Sequence, residues 1–230
     1  MFFVTEILVM IIAVLITLWA QIRVKSAFHK WSGVPARSGY TGLDVARYIL
    51  DRHGLHDVVV EHIQGSFSDH YDPSSKVVRL SEPVYGESSV AAISVAAHEC
   101  GHALQHQEDY RALVIRHRLV PVLNISSGAA PILLLIGFFL QMSNLILVGI
   151  LFYLITVLFH LVTLPVEFNA SSRAKQIIFA EGIIAREEES GVQKVLNAAA
   201  FTYVAAALVA IMELLRFILL YVLSQNNDER

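Results

Sequence analysis

Four long apolar stretches set the terms on which this chain can fold: residues 2–22, 119–140, 145–164 and 198–223. A helix crosses a bilayer with about 20 apolar residues, and each stretch reaches that length. Of 230 residues, 55% are hydrophobic and only 16% charged. A soluble globule of this size has too little interior to hide that much apolar surface, so the excess must face lipid. The formal net charge of -3 carries no basic excess, which argues against nucleic acid as a partner. Cys100 is the single cysteine, so no intrachain disulfide framework exists.

The first stretch lacks a basic leader and an A-x-A cleavage pattern, and Arg23 and Lys25 follow it; it reads as a retained anchor. The second carries Pro121, Asn124 and Pro131, which suit a helix packed against neighbours. Lys and Arg gather between the first and second stretches (Arg23, Lys25, Lys30, Arg37, Arg111, Arg116, Arg118) and between the third and fourth (Arg173, Lys175, Arg186, Lys194). The turn at 141–144 has none. By the positive-inside rule the polar segments 23–118 and 165–197 share the cytoplasmic side, with both termini outside. The expected architecture is a mainly α integral protein of a cell membrane: four transmembrane helices and a small cytoplasmic α+β domain.

Within the first polar segment, Leu43, Ala46, Ile49 and Leu50 have helical spacing, ended at Gly54. Residues 58–63 (VVVEHI) and 76–81 (KVVRLS) read as strands on either side of a turn at Asp72-Pro73-Ser74-Ser75. Ser88 or Ser89 can cap a helix through SVAAISVAAHECGHALQHQ.

That helix carries His98-Glu99-Cys100-Gly101-His102. Histidines at i and i+4 lie on one helical face, one turn apart, close enough to grip one ion. Glu99 is rotated from His98 by about 100°, which makes it a poor ligand but a good neighbour for a water. Zinc lowers the pKa of a bound water to about 7, and a Glu so placed takes its proton as the water attacks a peptide carbonyl. Gly101 is expected to leave the backbone uncovered beside the metal. Cys100 has no His/Asn arrangement to make it a nucleophile.

A catalytic zinc site needs a third protein ligand and an open position. His106 shares the face, but eight residues at 1.5 Å rise put it about 12 Å from His98, so it reads as a solvent-facing histidine. The third histidine of a metzincin would fall at Glu108, and no glycine ends the helix there. Glu167 directly follows the third apolar stretch, on the same side as His98, where a carboxylate is costly unless paired or metal-bound. The plainer alternative is an interfacial Glu in water.

Residues 98–106 (HECGHALQH), with DHYDPSSKVVRLSEPVY at 69–85, LPVEFNASSRA at 164–174 and VLNAAAFTYVA at 195–205, resemble the YugP-type family of membrane proteins described as neutral zinc metallopeptidases. The likeness spans nearly the whole chain, and it implies that the cytoplasmic α+β segment is a zinc-metalloprotease domain and that the membrane is a bacterial cell membrane. More distantly the pattern is similar to the HtpX-type and prenyl-protein-processing gluzincins, in which a Glu on a later helix completes the site; that implies Glu167 as third ligand. In those relatives an Asp usually lies four residues after the ligand Glu. Here the position is Ser171, so their supporting contact is not carried over, and Asn169 or Arg173 is expected to fill a similar role.

Glu167 stands three residues past the third stretch, about 5 Å along a helix, which places the expected zinc site at the cytoplasmic membrane surface. A membrane protein or membrane-proximal segment is then the expected peptide substrate. The 76–81 strand is a candidate for pairing with it, and His70 and Tyr71 are candidates to steady an oxyanion. Glu213 and Arg216, at i and i+3 in the fourth stretch, read as a structural pair that bonds another span, for example at Asn124. His160 reads as an interhelical hydrogen bonder. The competing class is a non-enzymatic membrane adaptor with a structural metal site, which would need the histidines but not Glu99. A transporter is a weaker third reading, since no inverted repeat is visible.

Overall fold

The computed structural model describes residues 2–228, and their side chains over residues 6–225. Seven helices and three strands follow in the order α1 (Phe2–Ser32), α2 (Gly42–Arg52), β1 (Val59–Ile63), β2 (His70–Asp72), β3 (Val77–Ser81), α3 (Glu82–Tyr85), α4 (Val90–Gln107), α5 (Arg111–Phe139), α6 (Ser143–Ala180) and α7 (Glu189–Asp228). Helices α1, α5, α6 and α7 are long and apolar enough to cross a membrane. Each also continues past its apolar stretch: α6, for example, runs unbroken to Ala180, well beyond residue 164. The chain divides into two compact units. One comprises residues 1–20, 114–164 and 203–230; the other comprises residues 21–113 and 165–202.

The first unit holds the apolar helix segments, and much of its hydrophobic surface is exposed, as at Leu15, Ile125, Leu135 and Phe139. Segments of α5 and α6 form a hairpin. Gly137 lies against Ile146 and Gly149 against Leu134, so closely that an added Cβ would sit 2.8 Å from a neighbouring atom in each case. Glycine is what lets these two backbones approach. The polar cluster of this unit joins α1 to α7. Arg216 reaches Glu6 at 2.7 Å and Glu213 at 2.6 Å, with all three side chains less than one-fifth exposed. The partner on another span is therefore Glu6, not Asn124, because a guanidinium in apolar surroundings is satisfied best by a carboxylate.

The second unit is α+β. Thr41 caps α2 through a reciprocal pair of bonds with Asp44, and α2 covers the stretch that its spacing predicts. The sheet order is β1-β3-β2, with β1 parallel and β2 antiparallel to β3. β3 is thus the central strand. Its backbone is engaged on both sides over residues 77–79, and Asp69 takes both the amide and the hydroxyl of Ser81. The expectation that this strand pairs with a substrate is corrected accordingly: the open edges belong to β1 and β2.

Ser89 caps α4 by accepting from the Ala92 amide at 3.1 Å. The core of the unit gathers Val45, Ile49 and Leu50 of α2, Val78 and Leu80 of β3, Ile93, Ala96 and Ala97 of α4, Ile178 of α6 and Leu196 of α7. Alanines on α4 let neighbouring elements pack tightly, and Cys100 lies among them. Burial raises the pKa of the Cys100 thiol, so it is an inert core group and no nucleophile.

The Glu6–Arg216–Glu213 cluster is a testable part of this fold. Arg216→Met leaves two carboxylates facing each other among apolar side chains. We expect a loss of roughly 3 kcal/mol or more, read as a lower melting temperature in detergent. A melting temperature equal to that of the wild type would contradict the account.

Candidate metal centre

The α+β unit brings α4 against residues 165–180 of α6 through the smallest contact available. A Cβ on Gly101 would lie 2.7 Å from the Ala170 carbonyl oxygen and 3.1 Å from its Cα. Gly101 therefore serves helix–helix approach. This corrects the expectation that it uncovers backbone for a metal. With the axes this close, the histidine face of α4 meets Glu167 one turn before Ala170 on α6.

His98 Nε2 lies 3.3 Å from Glu167 Oε2, and His102 Nε2 lies 3.6 Å from the same oxygen. The two imidazoles face each other edge-on, with centroids 4.8 Å apart. Each imidazole is 12% exposed, and the Glu167 side chain 3%. Among the described residues, His98, His102 and Glu167 form the group whose ligand atoms all lie within 4.8 Å of one another and could hold a metal ion. Glu167 is hence a buried member of the cluster, and the alternative of an interfacial Glu in water is set aside.

Each histidine is held from its other ring nitrogen. His98 Nδ1 is 3.1 Å from Ser171 Oγ, and His102 Nδ1 is 3.0 Å from Gln105 Oε1. Ser171, from which no supporting contact was expected in place of an Asp, does make one. Asn169 and Arg173 stand one remove away: Asn169 Oδ1 accepts from Gln105 at 2.9 Å and from Arg173 Nε at 2.8 Å, while Arg173 pairs with Glu108. Sequence reasoning passed over Gln105. Its signal was available, because an amide at i+3 from His102 shares that helical face.

Glu99 is buried, at 7% exposure. Burial raises its carboxyl pKa. The nearby His98 and His102 act the other way, and the negative charges of Glu167 and Asp69 add to the rise. A carboxylate so placed is a stronger base than one in water.

The two candidates for steadying an oxyanion, His70 and Tyr71, have partners of their own. Adjacent strand residues point to opposite faces, and β2 divides His70 from Tyr71 in this way. His70 bonds the Ser68 carbonyl and Arg79. Tyr71 bonds His106 Nδ1 at 2.8 Å, beyond His102 on α4. His106 is therefore outside the cluster, as its distance along the helix requires, but it is a half-buried partner of Tyr71 and not a solvent-facing group.

A family model described as "Putative neutral zinc metallopeptidase" matches residues 6–222. The chain belongs to this family. A relative in Bacillus subtilis (strain 168), named "Putative membrane protease YugP", is 59% identical over 213 residues, covering 93% of this chain and 95% of its own length. No solved structure matches the chain. With four helices able to cross a membrane and such a relative, this member of the neutral zinc metallopeptidase family is a multi-pass membrane protein. The family implies zinc. Two imidazole nitrogens and one carboxylate oxygen, converging within 4.8 Å, are a donor set that suits zinc and leaves room for a further ligand.

Two outcomes follow from this geometry. Gly101→Ala drives a methyl into the Ala170 backbone and should cost roughly 1–3 kcal/mol while weakening metal binding, measured by thermal unfolding and zinc titration. Unchanged values for both would contradict the close-approach argument. Glu99→Gln should raise the melting temperature of chelator-treated protein at pH 7. A buried carboxyl with a raised pKa destabilises the fold as pH climbs past its unfolded value of about 4.3, and Gln carries no such charge. The gain should vanish below pH 4, where both side chains are neutral.

Proposed function

We propose that this protein is a zinc endopeptidase that hydrolyses peptide bonds of membrane or membrane-proximal proteins at the cytoplasmic face of the membrane. The observation that carries this reading is the convergence of His98 Nε2 and His102 Nε2 on Glu167 Oε2, beside the buried carboxylate of Glu99. His98, His102 and Glu167 would hold the metal. Zinc bound there supplies Lewis acidity, polarising a peptide carbonyl and acidifying water.

The chain's own groups do the rest. Glu99 receives a proton from the attacking water on its carboxylate and returns it to the departing amine nitrogen. Its burial keeps competing water away and its basicity high. Ser171 and Gln105 hold the two imidazoles in orientation through their Nδ1 atoms. Three protein ligands favour an open, catalytic site over a closed, structural one, which commonly has four. The adaptor reading is therefore the weaker of the two.

The membrane-proximal substrate is supported by chain continuity. Glu167 follows the apolar stretch at 145–164 on the same helix α6, three residues after it ends. The cytoplasmic assignment rests on the Lys and Arg clusters that flank the apolar stretches.

Detergent-purified wild type and Glu99→Gln test the reading, each assayed on a peptide tethered to the bilayer and on the same peptide free in solution. Glu99→Gln should retain zinc and lose roughly 10²–10⁴-fold in cleavage rate. The wild type should prefer the tethered peptide. Undiminished cleavage by Glu99→Gln would sink the general-base role, and equal cleavage of both peptides would sink the membrane-proximal substrate.

A further inference from the structure

Gln105 is fully buried on α4, one turn past His102, and its amide meets three partners. Nε2 lies 2.8 Å from the Val166 carbonyl oxygen and 2.9 Å from Asn169 Oδ1, and Oε1 lies 3.0 Å from His102 Nδ1. These contacts decide which end of the amide is which. A backbone carbonyl can only accept, so the atom facing Val166 must be the NH₂ group. The Asn169 contact gives the same answer by a separate route. Arg173 has donors only, and its Nε lies 2.8 Å from Asn169 Oδ1, so Oδ1 accepts there and accepts from Gln105 as well. Arg173 itself is fixed by two bonds of 2.7 Å to Glu108.

With both amide hydrogens of Gln105 committed, its oxygen is the atom that faces His102. An oxygen accepts, so His102 Nδ1 must carry the hydrogen. With Nδ1 engaged by Gln105, Nε2 is the nitrogen available to a metal, the one lying 3.6 Å from Glu167 Oε2. We propose that Gln105 is a positioning residue that fixes the ring of His102 with a hydrogen on Nδ1, so that Nε2, directed toward Glu167, is the nitrogen left to bind a metal. Its orientation is locked by Val166 and, through Asn169, by the Arg173–Glu108 pair. His98 has no equivalent lock: the Ser171 hydroxyl can rotate to donate or accept, so it supports either tautomer. The two ligand histidines are thus held unequally, His102 firmly and His98 loosely.

This inference rests on the metal-site reading for its consequence, but not for its test. The ring tautomer of His102 can be read in metal-free, full-length protein in detergent, by nitrogen NMR of isotope-labelled histidines. The expected result is a proton on Nδ1. A wild-type ring with no hydrogen on Nδ1 overturns the proposal outright, whatever any variant does.

Zinc affinity, by competition with a chelator, gives the second readout. Gln105→Met keeps similar volume and removes every polar contact. It should show mixed tautomers at His102 and bind zinc roughly 10–100-fold more weakly. Gln105→Glu keeps an acceptor beside Nδ1, so it should retain the Nδ1–H ring and bind zinc more tightly than Gln105→Met. A side chain that only fills space gives the opposite order, since Met suits a buried site and a carboxylate does not. Wild-type affinity in Gln105→Met, or tighter binding by it than by Gln105→Glu, overturns the proposal. A wild type that binds no zinc sinks the metal reading instead, and the tautomer still decides the role of Gln105.

Discussion

The site depends on one close contact, the approach of the α4 backbone to the α6 backbone at Gly101 and Ala170. A side chain at position 101 would hold the two helices apart. A glycine lets them close, and closing carries Glu167 to the His98–His102 face. The same approach brings Gln105 against Val166 and Asn169, and Ser171 against His98. Ligands and supporting contacts are therefore consequences of a single packing event. The apolar core behind α4, built from α2, β3 and the ends of α6 and α7, fixes the helix that presents the histidines.

That arrangement sets polar groups against the interest of stability. Glu99 and Glu167 are both buried carboxylates, and Glu99 is there at the expense of its own solvation. A chain selected for stability alone would place apolar residues at both positions. Buried carboxylates beside two imidazoles, in a unit otherwise packed with Ala, Val, Ile and Leu, are the pattern on which the proposed metal site rests.

Much of this was legible in the sequence because it depends on local spacing. The His98–His102 interval, the Ser89 cap, the α2 periodicity and the four apolar stretches are all set by neighbours within a few residues. Features that arise only when elements meet were harder to read. Gly101 looked like an opening for a metal because its partner, Ala170, is far away in sequence. Ser171 looked like a lost Asp, yet its hydroxyl reaches His98 once the helices close. The strand β2 is three residues long, too short for alternation to reveal, and without it β3 looked like an available edge. The long helices outran their apolar stretches because a polar continuation such as residues 168–180 keeps helix-forming residues without keeping the hydropathy. Glu6 was passed over as part of an apolar stretch, although a charge within such a stretch calls for a partner, and Arg216 is that partner.

The central claim is that two imidazoles from one turn of α4 and the Glu167 carboxylate from α6 bind one zinc ion with a position left open. X-ray absorption at the zinc edge, on detergent-purified wild-type protein, tests it most directly. The account predicts a first shell of two imidazole nitrogens and light oxygen donors at about 2.0–2.2 Å, with no sulfur. A shell with a third imidazole, or with sulfur from Cys100 at about 2.3 Å, would contradict it.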